Sequence, residues 1–173
     1  MMNDSAKIAG ILGALTCQSI QKRRITNLEV LNEAYAYAKP SSFSRGMRID
    51  LGELTILLIS GTASIDEQGK SVHIGDLRAQ TRRTFSNIGC LLAAEGATWH
   101  DVVRTTCYLR DIDKDYEAFN QERSAFYRRL CLDPFPASTG IQAKLCRPEL
   151  LVEIEAIAMF LAKAAQSKKD EER

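Results

Sequence analysis

Two glutamates separated by a single residue, Glu153 and Glu155, are the side chains best placed for chemistry. They sit in the run 150–160, where Val152, Ile154, Ala156 and Ala158 alternate with them. Strand side chains alternate with period two, so the apolar set shares one face and both carboxylates share the other. A strand-borne carboxylate in a cleft can orient a water, as a general base or as a plain acceptor. Glu153 is the candidate for that work, and Glu155 reads as one half of a structural ion pair.

The common catalytic signatures are missing. There is no Ser-His-Asp order, no His-Glu-x-x-His, no phosphate-cradling glycine loop and no metal-ligand spacing. His73 and His100 stand at element edges without evident partners and read as surface residues. Cys17, Cys90, Cys107, Cys131 and Cys146 are odd in number, widely spaced and free of any Cys-x-x-Cys pair. That pattern fits free thiols in a reducing, cytoplasmic compartment better than a disulfide framework or a zinc site. No cofactor or metal is expected.

The elements that must position the glutamates are legible from periodicity. Met47-Arg48-Ile49-Asp50-Leu51, the turn Gly52-Glu53 and the apolar run 54–59 predict a hairpin whose second strand is buried. Ser60-Gly61-Thr62-Ala63-Ser64 follows, either a plain strand end or room for close backbone approach. Asp76 caps a helix striped by Leu77, Thr81, Phe85, Ile88, Leu91 and Leu92 and stopped at Gly96. A strand over 102–109 leads to a helix capped by Asp111 or Asp113, with the stripe Tyr116, Phe119, Arg123, Phe126, Tyr127 and Leu130. Strands over 139–145 and 150–160 complete the domain.

Residues 1–42 read as an extension with a short helix from Asn27 toward Tyr37, residues 43–162 as one domain, and residues 163–173 as a charged, disordered tail. The fold class is α+β: one mixed sheet with two helices on one face. The other face needs cover, which points to a closed homo-oligomer. A chain of 173 residues with 45% apolar and 26% charged side chains can build one such core. Net charge is +1, so nothing draws it to a polyanion, and short basic clusters such as Lys22-Arg23-Arg24 read as solvated faces. The apolar run 8–15 lacks the flanks of a signal peptide, and nothing approaches the ~20 apolar residues of a membrane span.

Several segments resemble the reactive-intermediate deaminase superfamily, the YjgF or UK114 group often labelled endoribonuclease L-PSP. They are Ile59-Ser60-Gly61, Gly75-Asp76 with Gln80-Thr81, Asn87-Ile88, Val102-Val103 with Thr105-Thr106, Tyr108, Asp111, Asn120, Pro136-Ala137, and Val152-Glu153-Ile154-Glu155-Ala156-Ile157-Ala158. The resemblance covers about 43–160. It implies a homotrimer with the bacillus-type chorismate mutase fold and clefts between subunits that hold small carboxylate-bearing ligands. In active members an arginine two residues after the proline of a Pro-Ala-Arg segment holds the substrate carboxylate, and a glutamate on the last strand positions the attacking water.

Glu153 matches that glutamate, whereas Ser138 occupies the arginine position in Pro136-Ala137-Ser138-Thr139-Gly140. Phe43 stands where a cleft tyrosine is common, and Gly140 where cysteine is. Losing a charge-assisted bidentate contact weakens carboxylate binding by about 1.5 to 3 kcal/mol. Arg147, in Cys146-Arg147-Pro148, and Arg45 are the candidate replacement guanidiniums. The expected ligand site is therefore Phe43, Arg45, Gly61, Asn120, Ser138, Thr139, Gly140 and Arg147, with Glu153 as the catalytic group. The resemblance implies hydrolysis of an imine, an enamine or a related small carboxylate. A non-catalytic metabolite-binding protein is the alternative, and a chorismate-type hydrolase or an endoribonuclease ranks below both.

Overall fold

Two capped helices lie across one face of a six-stranded sheet. A computed structural model of the chain describes residues 20–37 and 40–161. Helix α1, Leu77–Ala94, starts where the Asp76 side chain accepts from the Ala79 amide at 2.9 Å. It buries Leu77, Phe85, Ile88, Leu91 and Leu92, and Gly96, at φ +75°, turns the chain away. Helix α2, Ile112–Arg129, is capped by Asp111, whose side chain accepts from Lys114 N at 3.1 Å. The two helices meet through stacked Phe85 and Phe126, 4.6 Å between ring centroids, with Trp99 edge-on to both.

The strands are β1 Gln21–Arg24, β2 Gly46–Leu51, β3 Leu54–Ala63, β4 Val102–Leu109, β5 Ala137–Gln142 and β6 Val152–Leu161. Their order is β1-β2-β3-β6-β4-β5, antiparallel throughout except for the parallel pair β4 and β5. Val152, Ile154, Ala156 and Ala158 are buried against the helices, as their alternation predicts, and Glu153 and Glu155 point to the open face. That face also carries Leu58, Ile141 and Met159, each about 40% exposed.

The expected helix from Asn27 toward Tyr37 does not form. Asn27 makes a bridge to Leu31, and only Ala34–Ala36 is helical, as one 3-10 turn. The Asn27 side chain, expected as a cap, donates instead to the Cys90 carbonyl at 3.0 Å. Ile25, Leu31 and Ala34 are fully buried, and with the Asn27 side chain committed to Cys90 the expected helix lacks its N-terminal cap. The preceding basic run is β1 itself, paired with β2 from Gln21↔Asp50 to Arg24↔Met47, so the sheet begins well before Phe43. Buried Glu95 explains its attachment, since Arg23 Nη1 donates to that carboxylate at 2.8 Å and Arg48 Nη1 at 3.3 Å.

Strand β5 starts at Ala137, earlier than the predicted 139, and stops at Gln142. Tyr116 departs from the α2 stripe: it is 44% exposed and stands over Gly140 of the edge strand β5. No helix among the described residues is long and apolar enough to cross a membrane. The run 8–15, Cys17 and the charged tail lie outside the described residues.

Candidate ligand site

The ladder between β3 and β6 slips at one place, between the pairs Ile59↔Ala156 and Thr62↔Ile154. The extra β3 residue falls within Ser60-Gly61, a bulge that re-aims the local backbone. Ser60 Oγ donates to the Ser44 carbonyl at 2.8 Å, and Thr62 Oγ1 donates to the Ser60 carbonyl at 2.8 Å. Gly61 presents bare backbone to Glu153: a Cβ added there would lie 2.0 Å from Glu153 Oε1. Only glycine leaves space for the carboxylate in this position, so the small-residue run does serve close approach.

No donor among the described residues hydrogen-bonds the Glu153 carboxylate. Burial pushes its pKa up, repulsion from Glu155 adds to that, and Arg147 pulls the other way. Glu155 takes the Tyr108 hydroxyl at 2.9 Å and, among the described residues, makes no ion pair. In place of the expected ion pair Glu155 has a hydrogen bond from a neutral hydroxyl, because Tyr108 is the cross-strand neighbour of the glutamates on this face. The hydrogen bond to Glu155 raises the Tyr108 pKa in turn.

The two candidate guanidiniums lie against one ring. Arg45 is 4% exposed, and its Nε and Nη2 both donate to the Asn32 carbonyl at 3.1 and 2.9 Å. It stacks 4.9 Å from the Tyr37 centroid and 5.4 Å from that of Phe43. Burial lowers its pKa, while the nearby Glu33 carboxylate opposes the shift. Arg147 lies 5.5 Å from the same Tyr37 ring, with Nη1 donating to the Gly69 carbonyl at 2.7 Å and to Ser71 Oγ at 3.2 Å. Arg45 is therefore enclosed under the 31–37 segment, and Arg147 is held by a loop while still acting on Glu153 through space.

The remaining candidates gather at the β5 edge. Parallel pairing sets Ser138 beside Thr105 and Gly140 beside Cys107, on the helix side of the sheet. Thr139 faces the other way, where Arg104 Nη2 donates to its hydroxyl at 3.1 Å. Thr105 Oγ1 donates to Ser138 Oγ at 3.0 Å. From α2, Arg123 Nη1 donates to Ser138 Oγ at 3.0 Å, and Nη2 donates to Asn120 Oδ1 at 2.7 Å. Arg123 was expected only as part of the helix stripe. The signal that would have found it is the spacing Tyr116, Asn120, Arg123, which puts all three on one helical face.

Six of the predicted site residues form two groups, while Arg45 and Arg147 lie apart on the Tyr37 ring and Thr139 faces Arg104. Gly61 and Glu153 sit together by the bulge, and Phe43 joins Ser60, Arg104 and Glu155 around a hollow of about 430 Å3 on the open face. Asn120, Ser138 and Gly140 sit across the sheet with Arg123. The first group can place and deprotonate a water, and the second can bind an anion.

The family described as Endoribonuclease L-PSP matches residues 36–160. A 3-aminoacrylate deaminase RutC from Acinetobacter baylyi is 34% identical over 103 residues, 60% of this chain and 78% of that protein. A RutC family protein from Pyrococcus abyssi is 30% identical over 102 residues, 59% of this chain and 76% of the other. Among solved structures, the YjgF gene product of E. coli superposes with a TM-score of 0.62 at 26% identity, covering 79% of this chain and 97% of that one. A Rid family protein, YyfA, from Yersinia pestis gives 0.64 at 27% identity, covering 80% and 98%. These matches agree: the chain belongs to the endoribonuclease L-PSP family, the YjgF superfamily of reactive-intermediate deaminases.

Proposed function

We propose that this chain binds a small carboxylate-bearing imine or enamine and hydrolyses it, with Glu153 placing the water. The observation that carries the reading is the Glu153 carboxylate, lodged on the Gly61 bulge without a hydrogen-bond donor and with its pKa raised. A carboxylate with a raised pKa is a better base near neutrality. It accepts a proton from water as the oxygen adds to the imine carbon. The proton then passes to the departing nitrogen, leaving a carbonyl product and ammonia. The deaminase from Acinetobacter baylyi is named for an enamine acid, which supports this class of substrate.

The two residue groups occupy opposite faces of one sheet, so a complete cleft requires a second copy to bring its β5 edge to this open face. A homotrimer with three such clefts satisfies that need, and the exposed Leu58, Ile141 and Met159 supply apolar surface for it. We assign the protein to the cytoplasm, since Cys90, Cys107, Cys131 and Cys146 are all free thiols. Ammonia release from freshly generated imino acids tests the enzymatic reading. Wild type should exceed the buffer blank and Glu153→Gln should not; a wild type equal to the blank removes it.

Ser138 at the carboxylate-binding position favours a second reading, a non-catalytic metabolite-binding protein. A ligand at 100 times its dissociation constant adds ~2.7 kcal/mol of stability, so thermal shift across a metabolite panel bears on it. RNA cleavage ranks below both, because a net charge of +1 offers phosphates little attraction.

A further inference from the structure

Most arginines in the fold are committed. Arg23, Arg48, Arg78, Arg82 and Arg83 pair with carboxylates, and Arg45, Arg110 and Arg147 donate to backbone carbonyls. Arg123 differs. Its only hydrogen-bond partners among the described residues are neutral side chains, the Ser138 hydroxyl and the Asn120 amide oxygen. Glu122, its neighbour on α2, is already taken by Arg78 at 3.1 Å and Arg82 at 2.9 Å. The guanidinium is thereby fixed in direction and left with its full charge, while packing 5.3 Å from the Phe119 ring.

The surroundings are exposed. Strand β5 is exposed along its whole length, and of its helix-side residues Ser138 and Gly140 are small, while Gln142 accepts from the Ile112 amide. Tyr116, 44% exposed, stands over Gly140, where an added Cβ would lie 3.6 Å from its Cε2. A guanidinium has five N–H donors in a rigid fork, so two neutral bonds do not exhaust it.

We propose that Arg123 is the specificity-determining anion anchor of this site, taking the carboxylate of small planar 2-oxo, imino or enamine acids from a helix. On this assignment Ser138 is a partner that aims the anchor. Asn120 aims it from the other side, and the Tyr116 ring lies along the flat ligand. The inference rests on the ligand-binding reading above but not on hydrolysis.

The test measures binding of 2-oxobutyrate and of its uncharged methyl ester by calorimetry or NMR titration, for wild type, Arg123→Gln and Arg123→Lys, with melting curves to verify folding. Wild type should prefer the acid over the ester by about ten- to a hundredfold, the worth of one charge-assisted bidentate contact. Arg123→Gln should bind both alike at the wild-type ester affinity. Arg123→Lys, which keeps the charge and loses the fork, should fall between and decides the matter if the glutamine variant is unfolded. Acid preference unchanged in Arg123→Gln, or in Arg123→Lys where that variant decides, overturns the anchor. Should ammonia release persist in Arg123→Gln and vanish in Glu153→Gln with acid preference unchanged, the anchor falls and the enzymatic reading stands. Acid preference that depends on Arg123 in a protein releasing no ammonia leaves the anchor and removes the enzyme. Wild type binding neither probe overturns both.

Discussion

Gly61→Ala isolates the placement of Glu153 from the rest of the fold. Gly61 is not among the glycines with positive φ, so its backbone accepts alanine without strain. The whole perturbation is the new methyl, 2.0 Å from Glu153 Oε1 and 3.0 Å from its carboxyl carbon. Ordinary contact begins at 3.4 Å, so the carboxylate has to swing by about 1 Å or more. Because the displaced atoms end a flexible side chain, the cost in stability stays within the ~1 to 3 kcal/mol of local overpacking. A misplacement of ~1 Å at a reacting group costs up to ~100-fold in rate. Ammonia release and urea unfolding, measured on the same preparation, should therefore separate: kcat/KM down by about 10- to 100-fold, with the fold retained. Unchanged turnover would refute the assignment of Glu153 as the group that positions water.

The pH dependence of stability gives a second test of the same carboxyl. Its folded pKa lies above its unfolded one, so this group favours folding fully below the ordinary value of 4.5 and loses that contribution as pH rises through the raised value. Glu153→Gln removes the titration; urea unfolding from pH 4 to 8 should show the variant gaining on wild type as pH rises, and a variant that loses ground over that range would contradict the burial argument. Arg45→Met should cost about 3 to 5 kcal/mol in urea unfolding, because it leaves the buried Glu33 carboxylate, neither oxygen of which has a partner, without its compensating charge. Glu33→Gln added to Arg45→Met should recover part of that loss, and a loss under about 1 kcal/mol for Arg45→Met alone would show Arg45 to be merely packed.

What could be read from the sequence was what local periodicity determines. The Asp76 cap, the α1 stripe, the hairpin about Gly52 and the two-residue alternation around Glu153 each depend on neighbours a few residues away. The features that escaped depend on distant partners. β1 contains no alternation to detect, being uniformly exposed, and exists because Asp50 to Met47 offers it an edge and Glu95 a countercharge. Asn27 has the chemistry of a cap but lies within reach of the Cys90 carbonyl, 63 residues on. Arg123 fits the stripe spacing four residues after Phe119, yet its side chain leaves the core for Ser138, a neighbour created only when β5 docks beside β4. Arg45 sits just before a strand, which says nothing of the aromatic segment that closes over it.

Glu153 and Arg123 are among the charges the fold leaves without an ion-pair partner among the described residues, as it does Glu33 and Arg104. Elsewhere it pairs carboxylates and guanidiniums readily, even placing two arginines on Glu95 and two on Glu122. Glu153 and Arg123 are kept out of every ion pair among the described residues, on opposite sides of the sheet, the first against the Gly61 backbone and the second between Ser138 and Asn120. A half-buried carboxylate without a donor costs stability, and nothing in the packing of a single chain requires it. Residues tolerated at such a cost are where function and stability conflict. A ligand offering an anion to Arg123 and an electrophilic carbon to water beside Glu153 would use both, provided that the open face of one subunit meets the β5 edge of another. On the function proposed above, assembly and ligand binding become a single requirement, because the two residue groups lie on opposite faces of one sheet.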